Sequence, residues 1–255
     1  MASTQARGRI IEKMTQAPQS QHAFALAPGA LAPIVIADGA LEALKWLGIV
    51  LMTIDHINKY LNGGHSALMF DMGRIALPLF GFVLAYNLCR PGALTNGAFK
   101  RVSTRLFVWG CIATIPFVAI HGSNDYGWPL NILFTLLVST LVIWLLELRN
   151  PKLMIAILPL FSFASMLPEF WHFGTASTIA AWYFCKNPRV SSLVIWIATL
   201  AALAIINKNF YALLVIPLVY ASQYVRLPVP RSGLVFYLFY PVHLAAIWIT
   251  QALIR

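Results

Sequence analysis

Charged residues are scarce in this chain of 255 residues: 10% are Asp, Glu, Lys or Arg, whereas 60% are hydrophobic. The mean hydropathy is +0.75. A soluble domain of this length needs a much larger polar surface, so the composition excludes that class. Apolar runs of about 16–22 residues recur along the chain, and each is long enough, or nearly so, to cross a hydrocarbon core of roughly 30 Å. Because short alternating strands are lacking, we predict an all-α, polytopic membrane bundle rather than a barrel.

Cysteine and the common catalytic motifs are also rare or missing. The three cysteines, Cys89, Cys111 and Cys185, lie in or at the ends of apolar segments. An odd number without a repeated spacing does not indicate a disulfide framework or a zinc site. The sequence has no HExxH, CxxC, GxGxxG, P-loop or GxSxG pattern, so no metal site is predicted. The excess of 18 basic over 8 acidic residues is interpreted as a topology signal and not as nucleic-acid binding.

Nine candidate spans follow an N-terminal tail. Residues 1–38 begin polar and basic and continue through a proline-rich stretch too broken for a spanning helix, so we interpret them as a cytoplasmic or interfacial tail. Residues 39–255 are predicted to form one transmembrane domain without an internal repeat, which does not favour a two-half transporter. The spans are predicted at 40–61, 67–89, 99–120, 130–148, 152–167, 171–185, 190–206, 210–225 and 233–254. The LPEFWHFG stretch between the fifth and sixth is predicted to be tightly turned or re-entrant.

Basic residues alternate between the connections. They lie in the tail and early span one and in the even-numbered connections: Arg7, Arg9, Lys13, Lys45, Arg90, Lys100, Arg101, Arg105, Arg149, Lys152, Lys186, Arg189, Arg226 and Arg231. The odd-numbered connections hold a single lysine, Lys208. Because cytoplasmic loops carry the excess of basic residues, the N-terminus is predicted inside and the C-terminus outside.

The first span ends in MTIDHINKYL, which contains an acid, an imidazole, an amide and an ammonium group. Asp55 lies 15 residues after Ala40, about 22 Å along a helix, and therefore in the outer half of the span. Asp55 and Lys59 are spaced i, i+4 and can pair as at any helix end that meets water. Alternatively, Asp55 and His56 face the bundle interior, where ionisable groups in membranes usually have a function.

The second span carries Arg74 four residues before Pro78. Because Pro78 cannot donate a hydrogen bond to the carbonyl of residue 74, we predict a kink at the arginine. Arg74 also falls in the outer half of the membrane and is a natural partner for Asp55. The pair is either a structural clamp or a site for a carboxylate or an oxyanion.

Spans four and nine contribute further polar groups. Asn131 and Thr135 share a helix face, for interhelical hydrogen bonds or for a site. In the last span Tyr240 and His243 share a face, and His243 is either a packed residue or a proton-transfer group. All these places lie at mid-depth or in the outer half. An acid, two imidazoles and a guanidinium in a low-dielectric cavity are suited to acid–base chemistry with charge stabilisation.

A basic cluster begins span three at the cytoplasmic end. It consists of Lys100, Arg101 and Arg105, with the two arginines on one helix face. Such a cluster binds anionic lipid head groups or the phosphates of a soluble donor such as coenzyme A.

Four segments carry a family resemblance. LKWLGIVLMTIDHINKYL, MGRIALPLFGFVLAYNL, NILFTLL and FYLFYPVHLAAIWI resemble the TraX family of membrane proteins, the F-pilin acetylases and their relatives on conjugative plasmids. The resemblance covers spans one to four and the last span. It implies a bacterial inner-membrane N-acetyltransferase that acts on the amino terminus of a pilin subunit, with acetyl-coenzyme A as donor.

Asp55, His56, Arg74, Asn131 and His243 fall on the motifs of this resemblance, and we infer their roles from their chemistry. His56 or His243 would be the general base, Asp55 would pair with a cation, and Arg74 and Asn131 would stabilise the oxyanion; Tyr240 is a further candidate. Lys100, Arg101 and Arg105 would hold the phosphates of coenzyme A. Head-to-tail cyclisation of the pilin needs the same groups, and a proton-coupled transporter or a non-catalytic assembly factor stay open as alternatives.

Overall fold

A computed structural model describes residues 28–121 and 128–254 of the protein. Most of the predicted tail and the connection 122–127 lie outside the described residues. The chain divides into two units, 1–30 and 31–255. All helices described below belong to the second unit.

The regular secondary structure of the second unit is helical in the described ranges, and an isolated β-bridge joins Leu130 and Pro168. The α-helices are α1 Asp38–Tyr60, α2 Ala67–Gly73, α3 Ala76–Cys89, α4 Ala98–His121, α5 Ile132–Leu148, α6 Pro151–Met154, α7 Ile157–Ser162, α8 Trp171–Lys186, α9 Val190–Ala202, α10 Ala204–Asn207, α11 Val215–Ser222 and α12 Val235–Ile254. Short 3₁₀ helices at Ala164–Met166 and Tyr211–Leu214 extend α7 and precede α11.

The helices follow the predicted apolar segments. Each of the nine predicted spans coincides with one helix or with two or three consecutive ones, which confirms the all-α class. Four stretches are long and apolar enough to cross a membrane: Ala67–Cys89, Ala98–His121, Val190–Asn207 and Val235–Ile254. Three shorter apolar stretches are Ile132–Leu148, Pro151–Met166 and Tyr211–Ser222. The nine-span count and the orientation of the termini stay predictions.

Five helices form a ring around the interior of the bundle. In order around the ring, α1 packs on α3, α3 on α5, α5 on α4, α4 on α12, and α12 returns to α1. Helix α8 packs against two helices of the ring, α3 and α5. The α3–α8 contact is close because Gly81 has no side chain: a Cβ there would lie 2.6 Å from Thr178 Oγ1. Small residues at helix crossings are typical of membrane bundles.

The predicted kink in span two is confirmed as a break between α2 and α3. Helix α2 ends at Gly73, α3 begins at Ala76, and Arg74 and Ile75 form the turn between them. The N–H of Arg74 donates to Asp71 O at 3.1 Å, and the N–H of Ile75 donates to Met72 O at 3.2 Å. Since Pro78 has no N–H, no helical donor reaches the carbonyl of Arg74. The break therefore turns the arginine into the bundle.

Ion pairs tie three elements together at the basic end of the bundle. Asp38, at the start of α1, accepts from Arg90 after α3 and from Arg231 before α12, both at 2.6 Å. Nearby, Glu42 pairs with Lys45 and accepts from the N–H of Ser232 at 3.3 Å. These contacts bind the connection before α12 to the first turns of α1.

Candidate active site in the helix ring

Asp55 and Arg74 form a buried ion pair between α1 and the α2–α3 break. Arg74 Nη2 donates to Asp55 Oδ2, and the two side chains are only 14% and 11% exposed. Arg74 Nε donates to Phe70 O at 3.2 Å, and the guanidinium lies 4.2 Å from the centre of the Phe70 ring. Lys59 instead places its ammonium 4.9 Å from the centre of the Tyr60 ring. Of the two partners considered for Asp55, the structure selects Arg74.

Gly73 permits this pair because the two helices meet at its α-carbon. A Cβ at residue 73 would lie 2.3 Å from Asp55 Cβ and 2.6 Å from Asp55 Cγ, both impossible separations. We expect Gly73→Ala to destabilise the protein by about 1–3 kcal/mol, as overpacking of a tight contact does. Thermal unfolding in detergent measures this. The matched control is Gly233→Ala, since a Cβ at residue 233 meets no atom within 4 Å. Equal melting temperatures for the two variants would contradict the prediction.

The two predicted histidines are hydrogen-bonded to each other. His56 Nδ1 and His243 Nε2 are 2.7 Å apart, and the rings are nearly parallel. His243 Nδ1 lies 3.0 Å from the carbonyl oxygen of Phe239. Because a carbonyl only accepts, His243 Nδ1 must carry a proton, which makes the Nε2 of a neutral His243 an acceptor. His56 Nδ1 must then donate, which leaves the lone pair of His56 Nε2 available.

A third imidazole lies beside this pair. His121, the last residue of α4, has Nδ1 2.8 Å from Phe117 O and Nε2 3.0 Å from the Tyr60 hydroxyl. The Tyr60 ring is 5.7 Å from the ring of His56. Sequence reasoning missed both residues. His121 adjoins a polar connection, which gives no sign of a place in the bundle interior, whereas Tyr60 lies at i+4 from His56, a spacing that places both on one helix face.

Glu169 is the acidic residue of the site that the sequence did not predict. It lies in the connection between Ala164–Met166 and α8, which is attached to the start of α5. The N–H of Glu169 donates to Leu130 O at 2.7 Å, and Thr135 Oγ1 donates to Glu169 O at 2.6 Å. The two residues that follow, Phe170 and Trp171, have φ of +64° and +45°. The predicted tight turn is therefore present, and it directs the Glu169 carboxyl into the bundle.

Asn131 was predicted to stabilise an oxyanion, but its side chain is used in hydrogen bonds between α5 and α4. Its side chain caps α5 by accepting from the N–H of Leu133 at 3.2 Å. The amide donates to Gly110 O at 2.9 Å and to Thr114 Oγ1 at 3.2 Å, and the residue is fully buried. Both donor hydrogens are thus used to fasten α5 to α4, which is the interhelical alternative that the sequence had left open.

The polar residues surround a cavity of about 130 Å³, here called the polar cavity. Its lining includes Asp55, His56, Lys59, Arg74, Glu169 and Tyr240. Tyr240 is 3% exposed, and its hydroxyl has no hydrogen-bond partner among the described residues. A buried hydroxyl without a partner is unfavourable, so this hydroxyl is a candidate hydrogen-bonding group for a ligand in the cavity.

A second, mainly apolar cavity of about 270 Å³ lies within the same ring, and we call it the apolar chamber. Met52, Ile132 and Tyr240 line both cavities and form the wall between them. Lys45 and Arg105 also line the chamber, and their cationic groups lie near the rings of Phe236 and Tyr237. The chamber thus extends from the basic part of the bundle to the polar cavity.

The predicted phosphate-binding cluster divides in the structure. Arg105 lines the apolar chamber, whereas Lys100 and Arg101 are exposed and are not among its lining residues. Arg101 donates to the carbonyl of Asn96. Lys45, which the sequence suggested only as a topology signal, joins Arg105 instead.

Comparisons with known proteins agree with the sequence motifs. Residues 40–251 match the TraX protein family. A Protein TraX from Escherichia coli is 33% identical over 117 residues, which is 46% of this chain and 44% of that protein. An uncharacterized protein of Rickettsia prowazekii (strain Madrid E) is 35% identical over 74 residues, 29% of this chain and 25% of that protein. The chain thus spans less than half the length of these relatives, and no solved structure matches.

Proposed function

Because the chain belongs to the TraX family, we propose that it is a membrane-embedded acyltransferase that modifies the N-terminal amine of a conjugative pilin subunit, with acetyl-coenzyme A as donor. One observation carries the proposal. The hydrogen bond between His243 and His56 leaves a basic nitrogen at a polar cavity, and a single wall separates that cavity from an apolar chamber. This arrangement can bring an amine and a thioester together from opposite sides.

His56 is the general base of the proposed reaction. The amine nitrogen attacks the thioester carbonyl carbon, His56 Nε2 takes the proton from nitrogen, and the carbon–sulfur bond breaks. The proton then passes to the departing sulfur, which gives the amide and a free thiol. His243 is a positioning residue, since its hydrogen bond fixes the His56 tautomer and stabilises the imidazolium that forms.

Tyr240 is the best-placed donor for the oxyanion. Its hydroxyl is buried without a partner, and its side chain belongs to the wall that both substrates approach. A preorganised donor in a site that excludes water stabilises developing negative charge. Arg74 adds positive charge to the same cavity, although its Nη2 is engaged by Asp55. In this proposal Tyr240 therefore takes the oxyanion-stabilising role that the sequence analysis predicted for Asn131.

The apolar chamber fits the pantetheine arm of the donor. Its lining is mostly apolar, and Lys45 and Arg105 supply positive charge on the side predicted to be cytoplasmic. Arg101 and Lys100, exposed nearby on α4, suit the phosphates of coenzyme A outside the chamber. A thioester at the end of the arm would then meet the amine at the Met52–Ile132–Tyr240 wall.

The intact mass of the pilin tests this function. Pilin co-expressed with the protein is expected to gain one acetyl group relative to pilin expressed alone. Loss of one water would instead identify cyclisation. An unchanged pilin mass in both strains would refute acyl transfer and favour an assembly factor or a transporter. Proton-driven flux in proteoliposomes would distinguish the transporter from the assembly factor.

A further inference from the structure

The Glu169 carboxyl faces the polar cavity without a cationic partner. Among the residues described, no Lys, Arg or His side chain lies within 4.0 Å of it. Arg74 is engaged by Asp55, and the ammonium of Lys59 lies over the Tyr60 ring. The two cations that line the cavity are therefore committed elsewhere.

The backbone holds Glu169 in this position at an energetic cost. Phe170 and Trp171, directly after it, both lie in the left-handed region, which large side chains rarely adopt. Such a conformation costs about 1–3 kcal/mol for each residue and persists only when the surroundings enforce it. The hydrogen bonds from Glu169 N–H to Leu130 O and from Thr135 Oγ1 to Glu169 O provide that enforcement.

The buried Glu169 carboxyl would be stabilised by a positive charge beside it. Glu169 lies outside the flanking helices, and burial raises the pKa of its carboxyl, although the charges of Lys59 and Arg74 and the backbone N–H of Ile132 act in the opposite direction. A buried carboxylate is costly unless a cation or several donors pair with it. A ligand that brings a cation would remove this cost.

Three acceptor groups belong to residues that line the same cavity: the Glu169 carboxylate, His56 Nε2 and the Tyr240 hydroxyl oxygen. A primary ammonium has three donor hydrogens and no acceptor, so it matches this set. A hydroxyl offers one donor and no charge. The set therefore favours an amine over an alcohol.

We propose that Glu169 binds the acceptor amine in its ammonium form and holds it against His56 Nε2 and the Tyr240 hydroxyl. The proposal rests on the acyl-transfer function above and names the chemistry by which the acceptor is recognised. His56 removes one proton from the bound ammonium before attack and passes it to the departing sulfur, and the second proton that the nitrogen loses as the amide forms is released to solvent. The Tyr240 hydroxyl accepts from the nitrogen and donates to the carbonyl oxygen, which places both reacting groups on one side chain.

Peptide binding without donor tests the proposal apart from catalysis. The probe is a synthetic peptide with the N-terminal sequence of the pilin, compared with the same peptide acetylated at its N-terminus. The purified protein in detergent is expected to bind the free amine about 10–100-fold more tightly, the range for a hydrogen bond to a charged group. Glu169→Gln should lose most of this preference, and Glu169→Asp should retain part of it.

Kinetics provide the second measurement. Glu169→Gln should raise the acceptor KM by about 10–100-fold and leave the donor KM unchanged, a split that mere misfolding does not produce. Glu147→Gln is the matched control, because Glu147 pairs with Lys186 away from both cavities. Should Glu169→Gln fail to fold, Glu169→Asp with a normal melting temperature carries the test.

The outcomes separate this inference from the proposed function. An unchanged preference for the free amine in Glu169→Gln, or in a folded Glu169→Asp, overturns the ammonium site even when the wild-type protein acylates pilin. Selective binding of the free amine by a protein that transfers no acyl group overturns the function and keeps the site.

Discussion

Replacing His56 by alanine is expected to slow acyl transfer to the pilin by about 10²–10⁴-fold, the usual contribution of a general base. The reason is structural. His243 donates to Phe239 O and accepts from His56 Nδ1, so the lone pair of His56 Nε2 is free, and His56 lines the polar cavity. Without it the attacking amine has no base. The measurement is the initial rate of acetylated pilin formation by mass spectrometry, at equal amounts of folded protein.

Two variants sharpen this test. His65→Ala is the control, since His65 is exposed in the α1–α2 connection and should leave the rate unchanged. His243→Ala should reduce the rate less than His56→Ala, because it removes the orienting partner and not the base. A larger loss in His243→Ala than in His56→Ala would assign the base to His243 and reverse the proposed proton path.

Arg74→Ala is expected to destabilise the protein by about 3–5 kcal/mol, because it leaves the Asp55 carboxylate buried without its partner. Denaturant or thermal unfolding in detergent gives the change in stability. Arg231→Ala is the contrasting control: its ion pair with Asp38 is exposed, and such pairs contribute little. Similar losses in the two variants would show that the Asp55–Arg74 pair is not effectively buried.

The double variant Asp55→Asn with Arg74→Gln separates a clamp from a catalytic group. Removing both charges avoids an unpaired buried ion, so stability should recover toward that of the wild type. Activity should stay low if Arg74 supplies positive charge to the oxyanion, because glutamine does not replace it. Recovery of both stability and activity would mean that the pair only joins α1 to the α2–α3 break.

Much of the fold follows from local chemistry in the sequence. Apolar segments long enough to span a bilayer became helices, and Pro78 marked the break because its missing N–H acts within one turn. The Asp55–Arg74 pair was also foreseeable, since two opposite charges in apolar spans need each other. The apolar segments and Pro78 act on the backbone within a few residues of themselves. The ion pair follows from the need to neutralise charges in an apolar environment.

The site itself required the tertiary structure. His56 and His243 are 187 positions apart, so the chain alone did not show that they meet, whereas the hydrogen bond to Phe239 leaves the free lone pair on His56 Nε2. This lone pair is the reason why the proposed reaction uses His56 as its base. Asn131 looked free in sequence, but α4 consumes both of its amide donors.

The sequence by itself determined that the protein is a helical membrane bundle with an acid, an arginine and two histidines in apolar spans. Only the tertiary structure decided that Glu169 completes the polar cavity and that Tyr240 belongs to the wall between two cavities. The physical reason is that hydropathy and backbone geometry are local properties of the chain. The availability of a lone pair, and the pairing of a buried charge, depend on groups that distant segments bring into contact.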